Sequence, residues 1–543
     1  METSETLNKH SRPAFPVAGL QNVFSFQVLL GATLALGVLL TTTSAGSGRL
    51  FAEGDVWWHV ATGESILSTG HVPRVDPYSF TAHGNPWLAY EWLGEMVMAL
   101  AVRLDSLQGL QILLVLLSVM LVLLTYCYAL LRTRNPLGSA AAVAILLQVE
   151  QPMFTLRPQM LGYIFLMLTL ISLDLFKQER LKSLWFLPVL FAVWVNTHGS
   201  FVLGLFFLAC YWAGGLVGLQ WGNLRADRWP QAKRRHLLLV SLLSGLAVLL
   251  TPYGARLAAY PFQLMHSQPL NVFFVVEWRQ LDLSTWWGQA FLLLVLAWIA
   301  AQVISPIVYP LEIIAPLLAV TYECFIHNRF LLLFVPLFAP VLATYLARLL
   351  PAYNAAKESY AMNAVFIVAI LAGGIALMPS NRKLQETLRR AYPVGAVDYL
   401  RAHPMDSGMF NNDHWGGFLI WSLGPQHQVF IDGRLDIYEY AGVLADYISI
   451  ARADQSAFVL LQKYAVRACL LPREGPLVAK LAGSSEWEKA YEDDHSVIFL
   501  RRAMNASRQE LQRRNWQSAK TRLDVAAFLP EPSRFYTNEE QRK

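Results

Sequence analysis

Residues 108–130 read QGLQILLVLLSVMLVLLTYCYAL, 23 consecutive positions without a charged side chain. A hydrocarbon core about 30 Å thick is crossed by roughly 20 apolar residues in an α-helix, so this run is long enough to span a membrane. Working outward, runs with at most one charge recur at 23–43, 137–149, 160–175, 183–195, 200–220, 236–250, 288–303, 307–322, 330–347 and 362–378, some of them short enough to be re-entrant. The sequence therefore predicts an α-helical multi-pass membrane protein with 11 spans. The first run is long and lacks a small-residue cleavage site after it, so it is expected to stay as an anchor.

Composition draws the boundary of this part. Of 543 residues 55% are hydrophobic and 15% charged, with a mean hydropathy of +0.37, whereas soluble domains carry roughly 25% charged residues. The 81 charged residues are unevenly shared, 39 in the first 380 positions and 42 in the remaining 163. Three regions follow: a membrane module over 1–380 with a long first loop at 44–107, a small α/β domain over 381–503, and a polar helical or disordered tail over 504–543. In the α/β region, AVDYLRAH reads as helix, GGFLIWSL as mixed, and SGMFN, QVFIDGR, AVRACLL and SVIFLRR as strands.

Several function classes drop out. Cys127, Cys210, Cys324 and Cys469 are scattered, which offers neither a disulfide framework nor a paired-cysteine metal site. A net charge of +5 over this length is too weak to argue for nucleic acid, and the sequence contains no Walker loop, no GxGxxG after a strand and no HExxH. A transporter would show repeated halves with broken helices and a midplane site, and no such repeat is visible.

Orientation follows from the lysines and arginines in alternate loops, which are retained on the cytoplasmic side. One set of loops, including Lys9, Arg12, Arg132, Arg134 and the cluster from Arg225 to Arg235, holds 14 of the 21 basic residues before position 381; the other set holds 7. The richer set is expected inside. An odd span count then places the N-terminus in the cytoplasm of a cell whose C-terminal domain lies on the exoplasmic side, as expected for a bacterial cytoplasmic membrane protein.

Unusual polar residues collect on the predicted outer side. Asp55 and His59 stand at i, i+4, so on a helix they share a face; they are open to reading as an acid/base pair or as solvated residues of a helix lying on the membrane, with Trp57 and Trp58 at the interface. Asp76 opens DPYSFT, where a carboxylate also serves as a turn former, and Glu91 and Glu95 stand at a helix start, where a carboxylate also complements the dipole. Arg157, Asn196, His198, Glu277, Glu323, His327 and Arg329 fall at outer span ends. A charge at the hydrocarbon centre costs about 2.5–3.5 kcal/mol, so seven polar groups at one level point to a polar outer cavity rather than to isolated snorkelling. Arginine suits phosphate through bidentate hydrogen bonds, which makes Arg329 and Arg157 the candidates for a lipid phosphate. Asp55, His59 and His198 lack metal-ligand spacing, and no metal is expected. Glu312 lies between Pro310 and Pro316 inside a span, either paired or at a broken helix near water. Asp413, His414, Asp432, Arg434 and Asp436 of the tail are comfortably explained by turn chemistry and an ion pair, and rank below the membrane-side residues.

GDVWWHVATGESIL, DPYSFTAHGNPW and YEWLGE in the first outer loop, with WVNTHGSF and TPYG further on, resemble the multi-pass glycosyltransferases of the GT-C superfamily, near the RgtA/B/C/D and protein O-mannosyltransferase-like group. NNDHWGGFLIW and FIDGRLDIY resemble the exoplasmic C-terminal domain of some of them. The resemblance implies a sugar donor linked to a polyprenyl phosphate, an outward site, a glycan, lipid or protein acceptor, no nucleotide or other cofactor, and inverting transfer with an early acidic residue, which maps onto Asp55. Many relatives carry two adjacent acidic residues there; here Val56 follows Asp55 and the nearest acid is Glu53. The expected site is Asp55 as the acidic catalytic residue, with His59, Asp76, Glu91, Arg157, Asn196, His198, Glu277, His327 and Arg329 shaping the substrate pocket. An outward-facing glycan polymerase or ligase is the rival enzyme.

Overall fold

The computed structural model describes residues 22–43, 48–150, 154–275, 278–351, 353–405, 408–424 and 427–502. The predicted tail 504–543, Lys9, Arg12 and Glu277 lie outside the described residues.

The membrane part is a bundle of helices in chain order: α1 (Phe26–Thr43), α2 (Asp55–Thr69), α3 (Trp92–Thr133), α4 (Pro136–Glu150), α5 (Gln159–Lys177), α6 (Leu187–Val195), α7 (Phe201–Leu216), α8 (Gln231–Ala247), α9 (Ala255–Ser267), α10 (Pro269–Phe274), α11 (Trp286–Ile304), α12 (Leu311–Ile326), α13 (Leu331–Leu349) and α14 (Tyr360–Leu377). Among the described residues six segments are long and apolar enough to cross a membrane: α1, α3, α5, α11, Asn328–Leu349 and α14. The five other predicted spans fall on α4, α6, α7, α8 and α12, of 15, 9, 16, 17 and 16 residues. At 1.5 Å per residue, α6 reaches roughly half way across a bilayer core. Leu293 and Val303 of α11 and Val365 and Ile375 of α14 are exposed, as expected for helices whose outer faces meet lipid.

Helix α3 is the centre of the bundle, with α1, α5 and α13 packed on it. Its helical geometry breaks at Asp105 and Ser106, the latter at φ 50°, so an extramembrane start is joined to the apolar run that begins near residue 108. Asn381 bridges this break, its side chain accepting from Gln108 N at 2.9 Å and donating to Asp105 at 3.0 Å. Charges inside the bundle are paired. Arg132 of α3 meets both oxygens of Asp174 in α5 at 2.8 and 3.0 Å, and Tyr211 of α7 donates to the same carboxylate at 2.6 Å. Glu312, open to two readings from sequence, is buried and pairs with Lys177.

After position 380 come α15 (Asn381–Ala391), α16 (Val394–Ala402), α17 (Asp413–Leu423), α18 (Leu435–Tyr440), α19 (Val443–Ala451), α20 (Ala457–Lys463) and α21 (Pro476–Ala482), around one four-stranded sheet. Strand Met409–Asn411 runs parallel to Ala468–Pro472, which pairs antiparallel with Ser496–Arg501, itself antiparallel to Trp487–Glu492. QVFIDGR does not form the expected strand. Its Val429 makes only isolated bridges, to Ser79 and Met409, because the segment is wedged between residues 78–80 and the sheet. Backbone bonds Phe80 N to Val429 O (3.1 Å) and Val429 N to Tyr78 O (3.0 Å) tie the two regions together.

The segment that follows α1 also departs from expectation. Trp57 is fully buried, in contact with Phe51, Tyr392, Phe418 and Trp421, and Trp58 is buried beside it. Helix α2 therefore does not lie on a membrane surface with interfacial tryptophans; α17 covers it.

Candidate active site

The site grows out of one helix crossing. Gly63 of α2 rests on the start of α3 so closely that a Cβ would lie 2.0 Å from the Glu95 carbonyl oxygen. His59, one turn before Gly63, then faces Glu95 and Glu91, themselves one turn apart. Its Nδ1 is 3.2 Å from Glu95 Oε1 and its Nε2 3.6 Å from Glu91 Oε2. Glu91 makes no cap hydrogen bond despite its place at the helix start; its other oxygen lies 3.4 Å from His198 Nε2. Burial foremost raises Glu91 from the ordinary carboxyl range to about 8, with Arg157 opposing and Asp55 adding to the rise. Burial foremost also lowers His198 to about 3 and holds His59 well below its usual range, the nearby arginines acting in the same direction.

Asp55 stands one turn before His59, where Trp58 Nε1 donates to Oδ1 at 3.1 Å and Arg157 Nη2 donates to Oδ2 at 2.8 Å. The same Arg157 nitrogen reaches Glu53 at 2.5 Å, so the two acids of the first loop share one guanidinium although they are not adjacent in sequence.

These groups line a cavity of about 470 Å³. Of the predicted site residues, Asp55, His59, Glu91, Arg157, His198 and Arg329 are brought together in its wall. Arg329 stacks over the Trp278 ring at 4.1 Å and makes no ion pair among the described residues. Three others stand behind the wall, which corrects their placement in the substrate pocket. Asp76 is fully buried and tied to Arg434 at 2.8 Å, to Tyr78 N and to Ser79 N; although burial pushes its carboxyl up, Arg434 and these bonds bring it below the usual range. Asn196 is spent on structure, accepting from Trp92 Nε1 at 2.8 Å and donating to the Ala192 and Leu250 carbonyls. His327 Nδ1 is 2.8 Å from the Trp278 carbonyl oxygen, so it supports the tryptophan on which Arg329 lies.

The sequence undervalued the opposite wall. Asp413, His414, Gly433, Arg434 and Asp436 all line the cavity. Arg434, buried between Trp87 and Tyr78 with guanidinium-to-ring distances of 4.5 and 5.0 Å, meets both Asp432 oxygens at 2.6 and 2.8 Å. Tyr260 and Trp278, which sequence reasoning missed, close the side contributed by 255–279; Tyr260 donates to Asp436 at 2.5 Å. Among the described residues no three His, Cys, Asp or Glu side chains converge as a metal site.

The apolar bundle with the C-terminal module over this cavity shares its fold with a solved oligosaccharyltransferase. The chain is similar to the oligosaccharyltransferase of Archaeoglobus fulgidus tethered with an acceptor peptide containing the NVT sequon, with a TM-score of 0.53 and 13% identity over 83% of this chain and 70% of that one. The apo form of the same oligosaccharyltransferase matches with a TM-score of 0.49 and 12% identity, over 82% of this chain and 69% of that one. No protein-family model and no curated protein matches the sequence.

Proposed function

We propose that the chain is a membrane glycosyltransferase that moves a sugar from a polyprenyl-phosphate donor to a glycan, lipid or protein acceptor on the exoplasmic face, with Asp55 as an acidic catalytic residue. The observation that carries this reading is the meeting in one cavity of Asp55, held by Arg157 and Trp58, with Arg329, a guanidinium that makes no ion pair among the described residues. An ionised carboxylate orients an acceptor hydroxyl, and a planar guanidinium offers paired donors to the phosphate that leaves with the lipid. The fold likeness supports the class, since the similar structure is that of an oligosaccharyltransferase. The 14-to-7 asymmetry of basic residues supports the outward orientation and, with an odd number of passes, residues 381–503 as an exoplasmic domain.

The test is sugar transfer by the purified protein in nanodiscs from polyprenyl-phosphate-linked sugars, with Asp55→Asn as the control variant. The substitution nearly keeps shape and removes charge, so turnover should fall at least ~10²-fold with the fold retained.

A further inference from the structure

The buried chain Glu95, His59, Glu91, His198 is more than a polar patch, because its hydrogen-bonding roles can be worked out. Ser200 N donates to His198 Nδ1 at 3.0 Å, so in neutral His198 the proton sits on Nε2, which is the nitrogen 3.4 Å from Glu91. His198 therefore turns its N–H toward Glu91, 3.4 Å away. His59 hydrogen-bonds Glu95 through Nδ1 at 3.2 Å, while its Nε2 lies 3.6 Å from Glu91, and a neutral imidazole has one donor and one acceptor. Glu95 is the more deeply buried, at 1% exposure against 8% for Glu91, so it is the acid: Glu95 donates to His59 Nδ1, which leaves the imidazole proton on Nε2, facing Glu91 across 3.6 Å. Glu91 is left as the acceptor at the end of the chain, and it lines the cavity together with His59 and Glu95. Asp55, by contrast, already accepts from a guanidinium and an indole.

We propose that Glu91, rather than Asp55, takes the proton of the acceptor hydroxyl, while Asp55 orients the reacting groups and His59 and His198 are positioning residues that aim Glu91. This rests on the glycosyltransferase reading and divides the labour within the same site. The step balances. The acceptor O–H bond breaks, its proton passes to a Glu91 oxygen, and the acceptor oxygen forms the new bond to the anomeric carbon. The bond from that carbon to the phosphate oxygen breaks, and its electron pair leaves on the lipid phosphate, beside Arg329. Neutral Glu91 then returns the proton to water as the product departs.

The groups around Glu91 suit this role. His59 and Asp55 face it from α2, Arg157 from the segment before α5, and His198 from the turn after α6. Arg329 and Asp436 act on it from the far walls, and the neighbouring phenols Tyr90 and Tyr260 stay protonated, each raised chiefly by burial. Burial lifts Glu91 to about 8, where a base is strong enough to accept a proton and still ionised in part at neutral pH.

The experiment measures kcat, donor KM and their pH dependence in nanodiscs for wild type, Glu91→Gln, Glu91→Asp and Asp55→Asn. The wild-type rate should climb from about pH 6.5, reach half its maximum near pH 8 and level off above about pH 9. Glu91→Gln should lower kcat ~10²-fold or more with donor KM little changed and should lose the rising limb; Glu91→Asp should keep the limb at a reduced rate. Asp55→Asn should slow transfer yet leave the limb in its residual activity. Retention of the limb in Glu91→Gln, or a wild-type rate that does not rise over this range, overturns the assignment, and the second result needs no variant to fold. If wild type transfers sugar and Glu91→Gln does so equally well, only this inference fails; if wild type transfers from no polyprenyl-phosphate donor, the glycosyltransferase reading fails and takes this one with it.

Discussion

Gly433 of the C-terminal module lies against the Asp55 carboxylate, and Gly433→Ala tests that contact. A Cβ there would lie 1.7 Å from Asp55 Oδ1 and 2.9 Å from its carboxyl carbon. Ordinary carbon–oxygen contact needs more than about 3 Å, so the carboxylate must swing by roughly 1–1.5 Å. That swing breaks the 3.1 Å bond from Trp58 and the 2.8 Å bond from Arg157. Since a misplacement of about 1 Å in a reacting constellation costs ~10²-fold, Gly433→Ala should lower kcat by about that factor. Stability should change little, because the atom that must move is the end of a side chain. Turnover in nanodiscs and thermal unfolding, measured together, check both halves. In an Asp55→Ala background the same substitution should cost almost nothing further, as expected when two changes act through one contact. A Gly433→Ala protein with wild-type kcat would refute the claim that the Asp55 carboxylate must sit where the structure holds it.

Arg329→Ala should raise the transfer barrier by roughly 3–4 kcal/mol, and Arg329→Lys should remain harmful because lysine lacks the planar fork; donor affinity and turnover at the natural level in Arg329→Ala would make this residue a membrane anchor. Arg434→Ala leaves Asp76 and Asp432 buried without their shared cation, so thermal unfolding should show a loss of about 3–5 kcal/mol, and a stable variant would contradict the pairing. Glu91 is raised from 4.5 to about 8, so the native state holds its proton over the unfolded chain; that contribution is fully present below about 4.5 and lost as pH climbs through about 8. Wild type should therefore lose stability relative to Glu91→Gln between these limits, by roughly 3–5 kcal/mol in pH-resolved melts, and parallel curves would contradict the burial of an ionisable Glu91. For orientation, a cysteine at the exposed Val459 should react with an impermeant reagent in intact cells, while one at Arg228 should react only after lysis.

What was legible in the sequence is what local geometry decides. Asp55 with His59, and Glu91 with Glu95, share faces because a helix turns once in 3.6 residues, and the charge-free run at 108–130 announces its span by length. The wall formed by Gly433, Arg434 and Asp436 was not legible, since its contact with Asp55 is a long-range packing event that leaves no periodic trace. Trp57 and Trp58 misled for a related reason: a tryptophan suits a membrane interface and an aromatic core equally, and only the covering helix α17 decides between them. Asp76 and Asn196 are polar residues near the right place whose hydrogen bonds turn out to be fully committed to the scaffold. The short helix α6 shows the limit of hydropathy, which finds apolar stretches without measuring how far each one extends as helix.

The central claim is that this cavity transfers sugar from a lipid phosphate. Its most direct test supplies the purified wild-type protein and Asp55→Asn, both in nanodiscs, with a panel of radiolabelled polyprenyl-phosphate-linked sugars, and follows release of the polyprenyl phosphate. Wild type should consume at least one such donor and move its sugar to an acceptor, and Asp55→Asn should do so at least ~10²-fold more slowly. Equal donor consumption by the two proteins, or none by either, would contradict it.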